Sequence, residues 1–218
     1  MKNQIIIAAL FFTFNCFAGM NTEDALISEQ PTSHPVIVVH GGAGWSHGTS
    51  YEKQHAIKSG LKKALDTGFS ILQSGGSSLD AVEAAIVILE DNPVFNAGRG
   101  SVYTAEEKQE MDASIMSGND QDAGAVASVS RVKNPIKLAR YIMEHTEHVM
   151  MAGSGAEKVA EQGGLELVDP SYFYSEDRLK SVKKQKAKKN STVGALAIDK
   201  LGNIAAGTST GGRSNKLP

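Results

Sequence analysis

The strongest constraint on this chain is an abrupt change of character at Ser191. From Tyr172 to Ser191 the chain carries Lys180, Lys183, Lys184, Lys186, Lys188 and Lys189, with almost nothing apolar after Val182. It is followed at once by Thr192-Val193-Gly194-Ala195 and then by Gly207-Thr208-Ser209-Thr210-Gly211-Gly212. A run of lysines belongs in solvent, either as a linker or as a polyanion-binding patch. A run of small and β-branched residues fits a buried strand. The spacing predicts a disordered linker over 172–191 that exposes the peptide bond ahead of Thr192, then strands over Val193–Ile198 and Ile204–Ala206 joined by a turn at Lys200–Asn203.

A threonine behind an exposed peptide bond has a specific chemical use. Its hydroxyl is a poor nucleophile alone. If the bond before Thr192 is cut, the new α-amino group, with a pKa of about 7.7–8, can take the hydroxyl proton, so one residue supplies nucleophile and base. The same pattern also suits a threonine that merely opens a buried strand.

Upstream, helices and strands alternate. Pro35–His40 is a continuous apolar run stopped by Gly41-Gly42, which reads as a buried strand ending in a tight loop. Tyr51–Gln73 has helical spacing, and Ser77 with Asp80 forms a capping box ahead of a helix to Leu89. Val102–Thr104, Met111–Met116, Ala123–Val129 and Val149–Met151 read as strands; Pro135 onward and Ala156–Glu161 read as helices. Spacing alone supports a mixed α/β or α+β layered domain.

The N-terminus reads as a signal peptide over 1–18: Met1-Lys2, an apolar run from Ile5 to Phe14, then Cys16-Phe17-Ala18-Gly19. Residues 19–34 follow as a polar leader. Cleavage after Ala18 implies a periplasmic or secreted protein with no membrane attachment afterwards. Asn15 ahead of Cys16 argues against a lipid anchor. Removing 1–18 takes away Lys2 and no acid, moving the formal charge from −2 to −3. A nucleic-acid partner, which needs a basic face, is therefore not expected. Cys16 is the sole cysteine, so neither a disulfide nor thiol catalysis is expected of the mature chain.

Five segments in order carry a resemblance: His40-Gly41-Gly42-Ala43-Gly44; Asn92-Pro93-Val94-Phe95-Asn96-Ala97-Gly98-Arg99-Gly100; Met111-Asp112-Ala113-Ser114; and the Thr192 and Thr210 segments. Together with Asn119–Pro135 they resemble the isoaspartyl peptidase / plant-type L-asparaginase family of N-terminal nucleophile hydrolases, from about Pro35 to Pro218. The resemblance implies an α+β fold, an αββα sandwich, self-cleaved into an α part over 35–171 and a β part beginning at 192. It implies Thr192 as nucleophile, cleavage between Ser191 and Thr192, Thr210 as the second threonine, Asn96 holding Thr192, and His40, Gly41 and Gly42 shaping the site. It also implies a structural sodium ion on the backbone carbonyls of Leu89, Glu90, Asn92, Phe95, Ala97 and Arg99, and no cofactor for catalysis. Substrates would be L-asparagine and β-aspartyl dipeptides, and full-length relatives would form a dimer of α/β heterodimers.

Two departures shape the expectation. Ser191 stands where the family has glycine. The sequence stops at Pro218, ahead of the family's substrate-clamping arginine and oxyanion segment, so the fold is expected to be incomplete and turnover impaired. A glycosylasparaginase-like hydrolase and a non-catalytic remnant remain as alternatives. Rival sites are weak: His40-Gly41-Gly42 lacks the Gly-x-Ser-x-Gly elbow of an esterase. His145 and His148 lack a third metal ligand.

Overall fold

The computed structural model describes residues 34–43, 49–183 and 191–217. The expected signal peptide and nearly all of the leader lie outside them, as does the lysine-rich stretch at 184–190. Among the described residues no helix is long and apolar enough to cross a membrane.

Among the described residues six strands form one sheet: β1 (Val36–His40), β2 (Met111–Ser117), β3 (Ala123–Val129), β4 (Met150–Ala152), β5 (Val193–Ile198) and β6 (Ile204–Thr210). Their order is β1-β5-β6-β2-β3-β4. All neighbours are antiparallel except β3 and β4. That parallel pair needs a crossover, and helix α3 (Pro135–His145) supplies it. The strand pair after the linker thus fills the middle of the sheet, between β1 and β2, which come from far upstream.

Helices α1 (Tyr51–Gln73), α2 (Ser78–Glu90) and α3 make their sheet contacts through β1, through β5 and β6, and through β2 and β3 respectively. Strand residues alternate between the two sides. Val193, Ala195, Ala197, Ala205, Ala113, Ile115 and Val126 are buried in the same core as Val82, Ile86, Leu89, Ile136 and Leu138 from the helices. Close packing is visible at Gly207, where an added Cβ would come within 2.9 Å of both Val82 and Ile86. The opposite side is open: Val36, Val38, Leu196, Ile204 and Met116 are about half exposed. The described residues are therefore an α+β arrangement with one helical layer on one sheet.

Local signals explain most element boundaries. Ser77 Oγ accepts from Asp80 N at 3.1 Å, as the capping box requires, and α2 starts at Ser78. Pro135 sits in the first turn of α3, where its missing N–H costs nothing. Three expectations need correction. Val102–Thr104 is not a strand; Tyr103 and Thr104 make isolated bridges to Gln109 and Lys216, because the chain here wraps around the C-terminal segment. Strand β6 runs on to Thr210, since its Thr-Ser-Thr end pairs with Ser114, Ala113 and Asp112. The supposed linker from Tyr172 is ordered to Lys183. Beyond helix α4 (Gly153–Gln162), a 3-10 turn at Pro170–Phe173 buries Phe173 completely, and α5 (Glu176–Lys183) buries Val182. Lysine content masked those two apolar anchors.

The two sides of the sheet should differ energetically. Ile86→Ala, on the helix side, should cost about 2–5 kcal/mol through lost burial and a residual cavity. Leu196→Ala, on the open side, should cost well under half of that. Urea denaturation of both variants checks the ordering.

Candidate active site

Strand β5 begins at Val193, whose register partner on β6 is Ser209. One residue earlier, Thr192 therefore meets Thr210. Side chains one residue from a buried strand position point the other way, so both threonines stand on the open side of the sheet while Val193 and Ser209 are buried beneath. Thr192 Oγ1 donates to Thr210 Oγ1 at 3.1 Å.

The preceding carbonyl is the focus of the site. Ser191 O accepts two hydrogen bonds, from Asn96 Nδ2 at 2.7 Å and from Thr210 Oγ1 at 2.9 Å. Thr210 Oγ1 in turn accepts from Gly212 N at 2.8 Å. That hydroxyl thus receives two protons and gives its own to Ser191 O, a consistent proton order. Asn96 is 1% exposed and fully used. Its second amide proton goes to Gly212 O at 2.8 Å, Oδ1 accepts from Val102 N at 2.9 Å, and its backbone carbonyl accepts from Gly211 N at 3.1 Å.

The loop after β1 closes the other side. His40 Nδ1 lies 3.1 Å from Thr192 O and 3.2 Å from Gly42 N. A protonated Nδ1 donates to the carbonyl and a bare Nδ1 accepts from Gly42, so the tautomer selects one contact. Gly42 has φ +94°, and a Cβ there would collide with Ser191 Oγ. Only glycine allows this approach without strain. The structure thus brings together Thr192, Thr210, Asn96, Ser191, His40 and Gly42. Gly41 packs instead towards Phe95 and Leu61.

The loop after α2 holds the other expected positions. Leu89 and Glu90 close the helix, while Asn92, Phe95 and Ala97 lie in the turns that follow. Arg99 sits in a 3-10 turn with its guanidinium 5.4 Å from the centre of the Tyr172 ring. His145 stacks on Tyr141 with ring centres 4.4 Å apart. Among the described residues no group of three or more His, Cys, Asp or Glu side chains is placed to hold a metal.

Sequence reasoning missed three side chains near the site. Asp112 is the register partner of Thr210, and its Oδ1 accepts from Ser128 N at 2.9 Å. Lys216 Nζ lies 3.7 Å from Asp112 Oδ2 and donates to Glu110 O at 3.0 Å, fastening the segment beyond Gly212. The alternation of β2 was the available signal for Asp112. Glu90, expected only through its backbone, has a completely buried carboxyl, and burial pushes its pKa up to about 8.

A layered α+β domain that sets a strand-opening threonine beside a polarised carbonyl is the arrangement an N-terminal nucleophile hydrolase requires. Residues 33–218 match the family model described as asparaginase, and the chain belongs to that family. It is 42% identical over 195 residues to an isoaspartyl peptidase/L-asparaginase of Bos taurus, covering 85% of this chain and 63% of that protein. To the Mus musculus protein of the same description it is 44% identical over 192 residues, covering 84% and 58%. To an isoaspartyl peptidase of Escherichia coli (strain K12) it is 42% identical over 201 residues, covering 84% and 63%. The chain spans about three-fifths of the length of these relatives.

The raised pKa of Glu90 has a defined sign. Between 4.5 and about 8 the folded chain keeps a proton on this carboxyl that the unfolded chain has lost. Its contribution to stability is whole below that window and falls as pH rises through it. Glu90→Gln mimics the neutral acid, so its melting temperature relative to the wild type should rise from pH 5 to pH 9. A difference that stays flat with pH would contradict the assignment.

Proposed function

We propose that Thr192 is the nucleophile of an amidohydrolase that first cuts its own chain between Ser191 and Thr192. The observation that carries this reading is the pair of donors on Ser191 O, Asn96 Nδ2 at 2.7 Å and Thr210 Oγ1 at 2.9 Å. Attack of Thr192 Oγ1 on the Ser191 carbonyl carbon puts the developing negative charge on that oxygen. Preorganised donors stabilise such charge without reorganising during the reaction. A C–O bond forms, the C–N bond breaks, and the hydroxyl proton ends on the Thr192 nitrogen. Water then hydrolyses the resulting ester, leaving a carboxylate on Ser191 and a free hydroxyl and amine on Thr192.

The freed Thr192 can repeat the chemistry on a substrate. Its amine takes the hydroxyl proton, the oxygen bonds to a side-chain amide carbonyl, and the leaving amine departs with the proton. Water releases the acyl group and regenerates the hydroxyl. For the whole protein, the descriptions of its relatives as isoaspartyl peptidase and L-asparaginase favour β-aspartyl peptides and L-asparagine as substrates. Asparagine would give ammonia, and β-aspartyl dipeptides an amino acid. Export to the periplasm or cell exterior through the 1–18 segment, and assembly as a dimer of α/β heterodimers, complete the proposal.

A structural sodium ion on the carbonyls of Leu89, Glu90, Asn92, Phe95, Ala97 and Arg99 fits the compactness of this loop. Glycine backbone lies against the carbonyls: a Cβ at Gly98 would fall 2.6 Å from Glu90 O, and one at Gly100 would collide with Phe95 O. Neutral carbonyl oxygens suit a hard monovalent cation. The ion would brace the turn that carries Asn96. Replacing sodium chloride by choline chloride at equal ionic strength should lower the melting temperature by several degrees, as loss of a ligand of the native state must. An unchanged melting curve would remove the ion from the account.

Intact-mass measurements over time test the self-cleavage. The expected break lies between Ser191 and Thr192, is absent in Thr192→Ala, and is slowed about 10²–10³-fold in Asn96→Ala, the usual cost of one such donor. Ser191→Gly should accelerate it by relieving the crowding against Gly42. Breaks confined to 184–190 and indifferent to Thr192→Ala would mean ordinary proteolysis.

A further inference from the structure

We propose that Lys216 is a positioning residue for the reaction centre: its side chain fastens Gly212, which is hydrogen-bonded to both donors on the Ser191 carbonyl. The inference rests on the reading of Ser191–Thr192 as the bond that reacts. The two donors come from separate elements, Asn96 from the loop after α2 and Thr210 from the end of β6. Gly212 joins them. Its N–H donates to Thr210 Oγ1 at 2.8 Å, and its carbonyl accepts from Asn96 Nδ2 at 2.8 Å. A displacement of Gly212 therefore reaches both donors at once.

Gly212 has little of its own to hold it. It lies beyond Thr210, where the pairing of β6 with β2 ends. It has no side chain, and at φ +72° its backbone is the most conformationally free kind. Lys216 folds back across it: the position a Cβ would take at Gly212 is 3.3 Å from Lys216 Cδ and 3.4 Å from Nζ. The ammonium is in turn tied to the start of β2. Its Nζ donates to Glu110 O at 3.0 Å and stands 3.7 Å from Asp112 Oδ2. Asp112 is the register partner of Thr210, and its other oxygen accepts from Ser128 N at 2.9 Å. The contacts thus close a circuit, from Thr210 through Asp112 and Lys216 to Gly212 and back to Thr210.

The segment that carries Lys216 is already fixed by its backbone. Asn215 N donates to Tyr103 O at 2.9 Å, Ala105 N donates to Lys216 O at 2.8 Å, and Lys216 N closes a turn onto Arg213 O at 3.2 Å. The side chain is nevertheless only 19% exposed, although a lysine head ordinarily stays in water while its stem packs. If this side chain only secured the segment, its loss would lower stability and leave the Ser191 carbonyl untouched. If it positions Gly212, the signature appears at Asn96 and in the cleavage rate.

The experiment follows the Asn96 side-chain amide by ¹⁵N NMR in a Thr192→Ala background, where no cut at that bond is expected, with the signal assigned by its loss in Asn96→Ala. The self-cleavage rate and melting temperature are measured with Thr192 in place. Lys216→Met keeps an apolar stem over Gly212 but has no donor for Glu110 O. It is expected to move the Asn96 signals and slow cleavage about tenfold, a fraction of the cost of losing a whole donor. Lys216→Ala, which removes the stem as well, should do at least as much. Lys216→Arg, which returns a donor for Glu110 O and a positive charge for Asp112, should recover most of both losses. Unmoved Asn96 signals and an unchanged rate in the methionine and alanine variants, with stability alone reduced, would overturn the proposal. A wild-type chain that never cuts at Ser191–Thr192 would instead sink the self-cleavage reading, and the Asn96 signals would then decide the role of Lys216.

Discussion

The double hydrogen bond onto the Ser191 carbonyl organises everything around it. An amide oxygen held at 2.7 Å and 2.9 Å by two donors is polarised towards the charge it would carry as an oxyanion. Neither donor could be placed by local structure alone. Asn96 needs its own three further partners, drawn from Val102, Gly211 and Gly212. Thr210 needs β6 to be paired with β5 in a register that sets it beside Thr192. The fold can be understood as the device that meets those requirements together.

That device divides its labour by side of the sheet. Beneath, α2 and α3 bury a continuous apolar core, which gives β5 and β6 a rigid floor. Above, Thr192 and Thr210 project from the ends of the same strand pair, on the side opposite the helices. Strand alternation makes this economical: Val193 and Ser209 are buried, while their neighbours Thr192 and Thr210 face the other side. The crowded meeting of Gly42 with Ser191 adds a steric limit to the same carbonyl from the side, and His40 reaches the next one at Thr192.

Much of this was legible in the sequence, for identifiable reasons. The boundaries of α1 and α2 follow from helical periodicity and from the Ser77 cap. The break at Ser191 marked Thr192 because the polarity of the chain reverses there. The ordered α5 was hidden, since six lysines outweigh Phe173 and Val182 in any reading of composition. The burial of the Glu90 carboxyl was hidden for a different reason: Ile136 N, which donates to its Oε1, is 46 residues away in the sequence and reaches it only once the helices are laid on the sheet. Local pattern reports elements well, and it reports contacts between distant elements poorly.

The central claim is that Thr192 Oγ1 attacks the Ser191 carbonyl, which requires an ester between those residues. Hydroxylamine reacts with such an ester and leaves a hydroxamate on the acyl side. Mass spectrometry of the N-terminal fragment after incubation with hydroxylamine therefore tests the claim directly. The account predicts faster cleavage and a hydroxamate on Ser191, both lost in Thr192→Ala. Fragments that end in a plain carboxylate, formed at the same rate with or without hydroxylamine, would contradict it.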